Sequence, residues 1–276
     1  MSTIQHIEAF VVRIPFDEAV GNWGAGLWAQ DSHQHPGLSA THPGDIYSEY
    51  PPLWRARADY APYNEAVIVR LERSDGVIGW GEAHTPLASE ITRETIMRLL
   101  APRLLGQPAE QLSPLWERMY STMRLRGHQS GYLLEAIAAL DIALWDASAR
   151  AAGVGIAKLS GSQIRDRIPV YASSLPRIHR EHFDANLTAL VKAARELVQQ
   201  GHRALKVKVG IDLDLDCEVL RTLRQELGDA VWLMVDANGA YDPALARQAG
   251  DRMAAAAGIR WLEEPLAPEL SGAYAN

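Results

Sequence analysis

The chain has 276 residues, 47% of them hydrophobic and 22% charged, with 34 acidic against 27 basic side chains. That length can bury a sizeable core, in one large domain or two ordinary ones, and the acidic balance argues against nucleic acid as a partner. A lone cysteine, Cys217, excludes an intrachain disulfide and suits a reducing cytoplasm. No apolar run approaches the roughly 18–20 residues that span a bilayer, and Glu8 and Arg13 break up the N-terminus as a secretory signal, so no membrane partner is expected.

Ile4 to Arg13 is rich in β-branched and aromatic residues and predicts a strand. Residues 21–62 have no period. They hold Trp23, Trp28 and Trp54 with His33, His35 and His42, and form a loop too long for an ordinary connector. Its tryptophans are read either as substrate contacts or as the loop's own packing. Ala66–Arg73 and Val77–Glu82 predict two strands joined at Asp75-Gly76, a strong hairpin signal. A three-stranded antiparallel sheet follows. Helical patterns cover about Thr92–Leu105, Pro114–Leu125 and Ser130–Ala152, the last with Leu133, Ile137, Leu140 and Leu144 on one stripe. Asp141 and Asp146 in it read as solvated or helix-packing carboxylates ahead of functional ones.

Beyond this the pattern becomes β-α-β-α-β-α-β. Strands are predicted at Ile168–Ser173, Ala204–Val209, Val231–Asp236 and Ile259–Glu263, with helices at about Ala185–Gln200, Leu215–Leu227 and from Asp242-Pro243 to Gly258. Asp242 and Pro243 are an N-cap and a proline at the first helical position. Such alternation implies parallel strands with crossover helices.

Three strand ends carry charged groups: Lys206-Val207-Lys208, Asp236-Ala237-Asn238 and Glu263-Glu264-Pro265. The steps Lys208 to Asp236 and Asp236 to Glu263 are 28 and 27 residues, one βα unit each. The three motifs should therefore stand side by side at the carboxyl ends of the strands, where βα-barrels build active sites. Lysines at i and i+2 of a strand share a face. Like charge and burial would then lower at least one pKa toward neutrality and make a general base, unless both heads are simply exposed on an edge strand. Asp236 and Glu263 are hard oxygen donors suited to Mg²⁺, or else a capping aspartate and a surface glutamate. Taken together, base and cation match the removal of a proton α to a carboxylate, where a divalent ion stabilises the enediolate.

This motif set resembles the enolase superfamily, of the mandelate racemase/muconate lactonizing kind. Ala204-Leu-Lys-Val-Lys-Val-Gly210, Val235-Asp-Ala-Asn-Gly239 and Trp261-Leu-Glu-Glu-Pro265 are similar to that family's second, third and fourth barrel strands. Ala136-Ile-Ala-Ala-Leu-Asp-Ile-Ala-Leu-Trp-Asp146 is similar to the helix leading into the barrel, and Gly76-Val-Ile-Gly-Trp-Gly-Glu82 to the capping-domain hairpin. The resemblance implies an α/β fold: an α+β capping domain over residues 1–128 with its loop at 21–62, then a partial TIM-type βα-barrel of about four strands over 129–276. It implies Lys208 as the base, Lys206 as the group that depresses its pKa, and Asp236 and Glu263 as Mg²⁺ ligands. Asn238, Trp23 and Trp28 are implied near the substrate, and Glu264 is implied to lie outside the ligand set. The family's third acidic ligand would fall near position ~290 by the same βα step, and the sequence ends at Asn276. These 276 residues alone are therefore expected to bind Mg²⁺ weakly and not to turn over. The expected activity is dehydration of an acid sugar, with racemisation and cycloisomerisation as alternatives sharing its first step. The expected partners are a small carboxylate substrate and either a homo-oligomer mate or a separate C-terminal fragment. A non-catalytic fragment of a split protein, and a Schiff-base lyase on a βα-barrel, are the other readings.

Overall fold

The computed structural model describes residues 2–15, 63–85, 87–162, 164–173, 175–178, 180–210 and 212–275. The described residues fall into two compact units, dividing at Arg167/Ile168.

In the first unit, strands β1 (Ile4–Pro15), β2 (Tyr63–Arg73) and β3 (Ile78–His84) form an antiparallel sheet in the order β1-β2-β3. The register pairs Ala9 with Val69 and Val69 with Gly81. Asp75-Gly76 turns the hairpin as expected. Gly76 sits at φ 81°, where a Cβ is unfavourable, and its N–H donates to the Arg73 carbonyl at 2.9 Å. One face is continuous apolar core: Ile7, Ala9, Val67, Val69, Leu71 and Ala83 are all buried. A helical stretch follows, α-helical over Ser89–Glu94, π-helical over Thr95–Leu100 and α-helical again over Ala101–Leu104. The helices Leu112–Arg124 and Tyr132–Ala151 complete the unit's core.

The long helix Tyr132–Ala151 lies closer to the sheet than its leucine stripe suggests. Ala139, Ala143 and Ala147 recur every fourth residue and are buried, and they back onto Gly79 and Gly81 of β3. Small side chains on both surfaces let helix backbone meet strand backbone. Trp80, between the two glycines, donates its backbone N–H to Asp146 at 2.9 Å, and Arg150 pairs with the same carboxylate at 2.8 Å. Asp146 is thus a helix-packing group that satisfies a strand donor. The expected boundary at 128/129 differs from this arrangement. This helix packs on the three-stranded sheet and shares one core with it, which carries the first unit to Arg167.

Asp141 of the same helix is partly desolvated, and burial raises its carboxyl pKa. A raised acid pKa means the folded protein holds the proton more tightly than the unfolded chain, so the charged form at neutral pH weakens the fold. Asp141→Asn should therefore raise the denaturation midpoint at pH 7. The gain should shrink as pH falls below the ordinary carboxylate range, where both states of the parent are protonated. Urea titrations at pH 7 and pH 3 check it. A variant less stable than the parent at pH 7 would contradict it.

In the second unit, β4 (Ala204–Lys208), β5 (Trp232–Asp236) and β6 (Trp261–Glu263) form a parallel sheet in chain order. They are linked by the helices Leu213–Leu227 and Pro243–Ala257, and the helix Phe183–Gln199 precedes β4. Asp212 and Asp242 cap the two linking helices. Asp242 accepts from Ala244 and Leu245 backbone N–H at 2.9 and 2.8 Å, ahead of Pro243 at the first helical position. Leu205, Val207, Leu233 and Val235 point to the helical side and are buried among Leu190, Ala194, Leu220, Leu223 and Met253.

The expectation of about four barrel strands needs correction. The described sheet has three, and residues 168–173 contribute a single parallel bridge, Ala172 to Leu205. Ala172 N–H donates to the Ala204 carbonyl at 3.0 Å and its carbonyl accepts from Lys206 N–H at 2.8 Å. Pro169 has no N–H to extend the ladder, and Ile168 and Val170 on either side of it are largely exposed. No helix among the described residues is long and apolar enough to cross a membrane.

Candidate active site

The period of two in β4, β5 and β6 sends alternate side chains to opposite faces. The helical face takes the Leu and Val residues. The other face takes Lys206, Lys208, Asp236 and Glu263. Parallel register places Lys208 beside Asp236 and Asp236 beside Glu263. The four charged residues singled out in the sequence are therefore brought together at the carboxyl ends of three adjacent strands.

Lys208 Nζ donates to Asp236 Oδ2 at 2.5 Å and to Asn238 Oδ1 at 3.0 Å. Lys206 Nζ donates to Glu263 Oε1 at 2.6 Å and lies 3.7 Å from Asp236 Oδ2. Asp236 is 2% exposed and Lys206 is 7% exposed. Charges this buried are tolerated only when paired and hydrogen-bonded. Asn238 donates its backbone N–H to Asp236 Oδ1 at 3.0 Å and its amide Nδ2 to Glu264 Oε2 at 2.9 Å.

At least one of the two lysines is expected to fall toward neutrality, and Lys206 is not that one. Burial does act to lower its pKa. The hydrogen bond and charge of Glu263, with the Tyr171 hydroxyl and the Asp236 charge, outweigh burial and hold Lys206 above the ordinary lysine range. Like charge and burial are not the only influences on Lys206, because the same register brings the Glu263 and Asp236 carboxylates within reach.

Two neighbours of the cluster were missed. The Tyr171 ring has Lys206 Nζ 5.3 Å from its centroid, and Trp261 Nε1 donates to Glu263 Oε2 at 3.1 Å. Trp261 stands two residues before Glu263 on one strand, so their shared face was readable. Tyr171 belongs to the stretch that forms only a bridge, and no local pattern links it to Lys206. Trp23 and Trp28 lie outside the described residues, as does the whole of 21–62.

The carboxylates fit a hard cation in kind. Asp236 and Glu263 supply oxygen donors, and the Lys206 ammonium already sits within reach of both, so the space between them accepts positive charge. Among the described residues no group of three or more His, Cys, Asp or Glu is placed to hold a metal ion. Asp236 and Glu263 would by themselves supply only part of a coordination shell.

A parallel βα sheet that presents charged side chains at the carboxyl ends of its strands is the layout of the βα-barrel enzymes. The chain belongs to the enolase superfamily, of the mandelate racemase/muconate lactonizing kind. Residues 58–161 match the mandelate racemase/muconate lactonizing enzyme N-terminal domain, and residues 189–276 match the enolase C-terminal domain-like family. The chain is 34% identical over 211 residues to D-galactarolactone cycloisomerase of Agrobacterium fabrum, covering 76% of this chain and 53% of the relative. It is 32% identical over 203 residues to arabinonate dehydratase of Saccharolobus solfataricus, covering 73% and 52%. The chain thus spans about half the length of the curated relatives it matches. Among solved structures, a racemase from Streptomyces coelicolor with bound magnesium superposes with a TM-score of 0.74 at 28% identity, over 96% of this chain and 63% of that one.

Proposed function

We propose that this chain carries the proton-abstracting half of a Mg²⁺-dependent enzyme acting on an acid sugar or its lactone. The observation that supports it is the convergence of Lys206, Lys208, Asp236 and Glu263 on one sheet face, with nitrogen–oxygen contacts of 2.5 and 2.6 Å. In this reading Lys208 takes the proton α to the substrate carboxylate. Lys206, held charged, places a fixed positive charge beside the base and the developing anion. Asp236 and Glu263 would hold Mg²⁺, which when bound supplies Lewis-acid stabilisation of charge developing on that carboxylate. Asn238 orients the base. The relatives include a cycloisomerase and a dehydratase, and both reactions are consistent with this first step. Dehydration of an acid sugar is our first choice, with cycloisomerisation next. The Schiff-base alternative needs no cation, and the Asp236 and Glu263 carboxylates beside the lysines favour the metal-assisted reading over it.

The reading is tested by Mg²⁺-dependent deuterium exchange at the α-carbon, with arabinonate and galactarolactone as first substrates. It is also tested by metal binding. Two carboxylates leave a hard cation dependent on water, so the affinity of these residues for Mg²⁺ should be weak. Asp236→Asn should weaken it further, by about tenfold or more, since an amide oxygen carries no net charge. Calorimetric titration of parent and variant with MgCl₂ measures this. Equal affinities would remove Asp236 from the ligand set.

A further inference from the structure

Three residues among those described adopt positive φ without being glycine, and two of them stand at this site: Asn238 at 47° and Glu264 at 43°. The left-handed region is unfavourable for a side chain such as glutamate, and such strain concentrates where a side chain must be aimed. At Glu264 the consequence is visible. The turn brings its carboxylate back over the neighbouring strand end, where Oε2 accepts from Asn238 Nδ2 at 2.9 Å, and its carbonyl accepts from Gly239 N–H at 2.7 Å. The other end of the Asn238 amide, Oδ1, accepts from Lys208 Nζ at 3.0 Å.

We propose that Glu264 is a positioning residue for Lys208, acting through Asn238. An amide has one accepting and one donating end. A carboxylate can only accept, so Glu264 draws Nδ2 to itself and leaves Oδ1 to face the lysine. With the amide reversed, an N–H would be turned on the ammonium, donor against donor. The device matters because Lys208 also donates to Asp236, whose carboxylate is assigned above to the cation. A neutral amide oxygen held from behind keeps Nζ in place without drawing on that carboxylate. The proposal rests on the reading of Lys208 as the base, and it gives Glu264 a role outside the ligand set.

The test is trace acetylation of the 276-residue chain with acetic anhydride at one fixed pH. Labelling of Lys208 is read by peptide mass spectrometry against exposed Lys192 as internal reference. Glu264→Gly keeps the left-handed backbone at no steric cost and deletes the carboxylate alone, at an exposed position where folding should survive. It should raise the Lys208 to Lys192 ratio about three- to tenfold, the range expected for net loss of one hydrogen bond at an exposed position. Asn238→Ala should do the same, and the double variant no more than either. Glu264→Gln can still accept from Nδ2 and should stay within about twofold of the parent. A purely structural Glu264 would leave the ratio unmoved, and an unchanged ratio in Glu264→Gly overturns the proposal. So do effects that multiply in the double variant. Labelling does not depend on turnover. If Lys208→Ala still exchanges its substrate's α-proton while the labelling pattern holds, the base assignment fails and the tether stands.

Discussion

Lys208→Ala should lower the rate of α-proton exchange by at least about a thousandfold, the middle of the range for removing a general base. Exchange is measured in D₂O with Mg²⁺ and an acid-sugar substrate, in the protein that carries this chain. Substrate should still bind within a few-fold of the parent KM, because the lysine contributes to the proton transfer and not to holding the carboxylate. Mg²⁺ affinity should hold or rise. The Lys208 ammonium donates to Asp236 at 2.5 Å, and its loss frees that carboxylate from a competing cation. The split separates this role from a structural one. A lysine that merely neutralised Asp236 would lose metal-site geometry and stability together, and exchange would recover at high Mg²⁺. Exchange at the parental rate in the variant would refute the assignment.

The second large effect lies in the first unit. Gly81→Ala should destabilise it by about 3 kcal/mol or more, at or beyond the top of the usual overpacking range. A Cβ built on Gly81 would stand 1.9 Å from the Ala139 carbonyl oxygen and 2.8 Å from the Ala143 nitrogen. Both are helix backbone, so no side-chain rotamer relieves the clash and the helix itself must move off the sheet. That movement would also strip contacts from Val69, paired to Gly81 across the ladder, and from the alanine stripe. Gly76→Ala is the control. Nothing stands within 4 Å of its Cβ, and the cost is the positive φ alone, about 1 kcal/mol. Urea denaturation with hydrogen exchange of the β2 amides reads both. Equal losses in the two variants would show that the helix gives way easily and that the close approach is not a constraint.

Much of the frame was legible in the sequence because it depends on short-range pattern. The Asp75-Gly76 hairpin, the helix N-cap at Asp242 with Pro243, and the Lys206/Lys208 shared face follow from turn chemistry, capping and the strand period. The spacing of Lys208, Asp236 and Glu263 by one βα unit placed three strand ends side by side, and the register pairs them. The strand at 168–173 misled, since β-branched composition is a weak guide where a proline interrupts the donors.

What the sequence by itself determined, then, was which residues stand on which face and at which end of each strand, since backbone periodicity and local hydrogen bonding decide both. It could not determine what those groups do to one another. The raised pKa of Lys206 depends on Glu263 lying 2.6 Å away, 57 positions along the chain. The relay from Glu264 through Asn238 to Lys208 depends on two left-handed turns meeting across neighbouring strands. The closeness of Gly81 to Ala139 depends on one helix settling onto one sheet. Coulombic, hydrogen-bond and contact energies vary with distances of a few ångströms in space. Only the packed chain sets those distances, so the tertiary structure alone decided them.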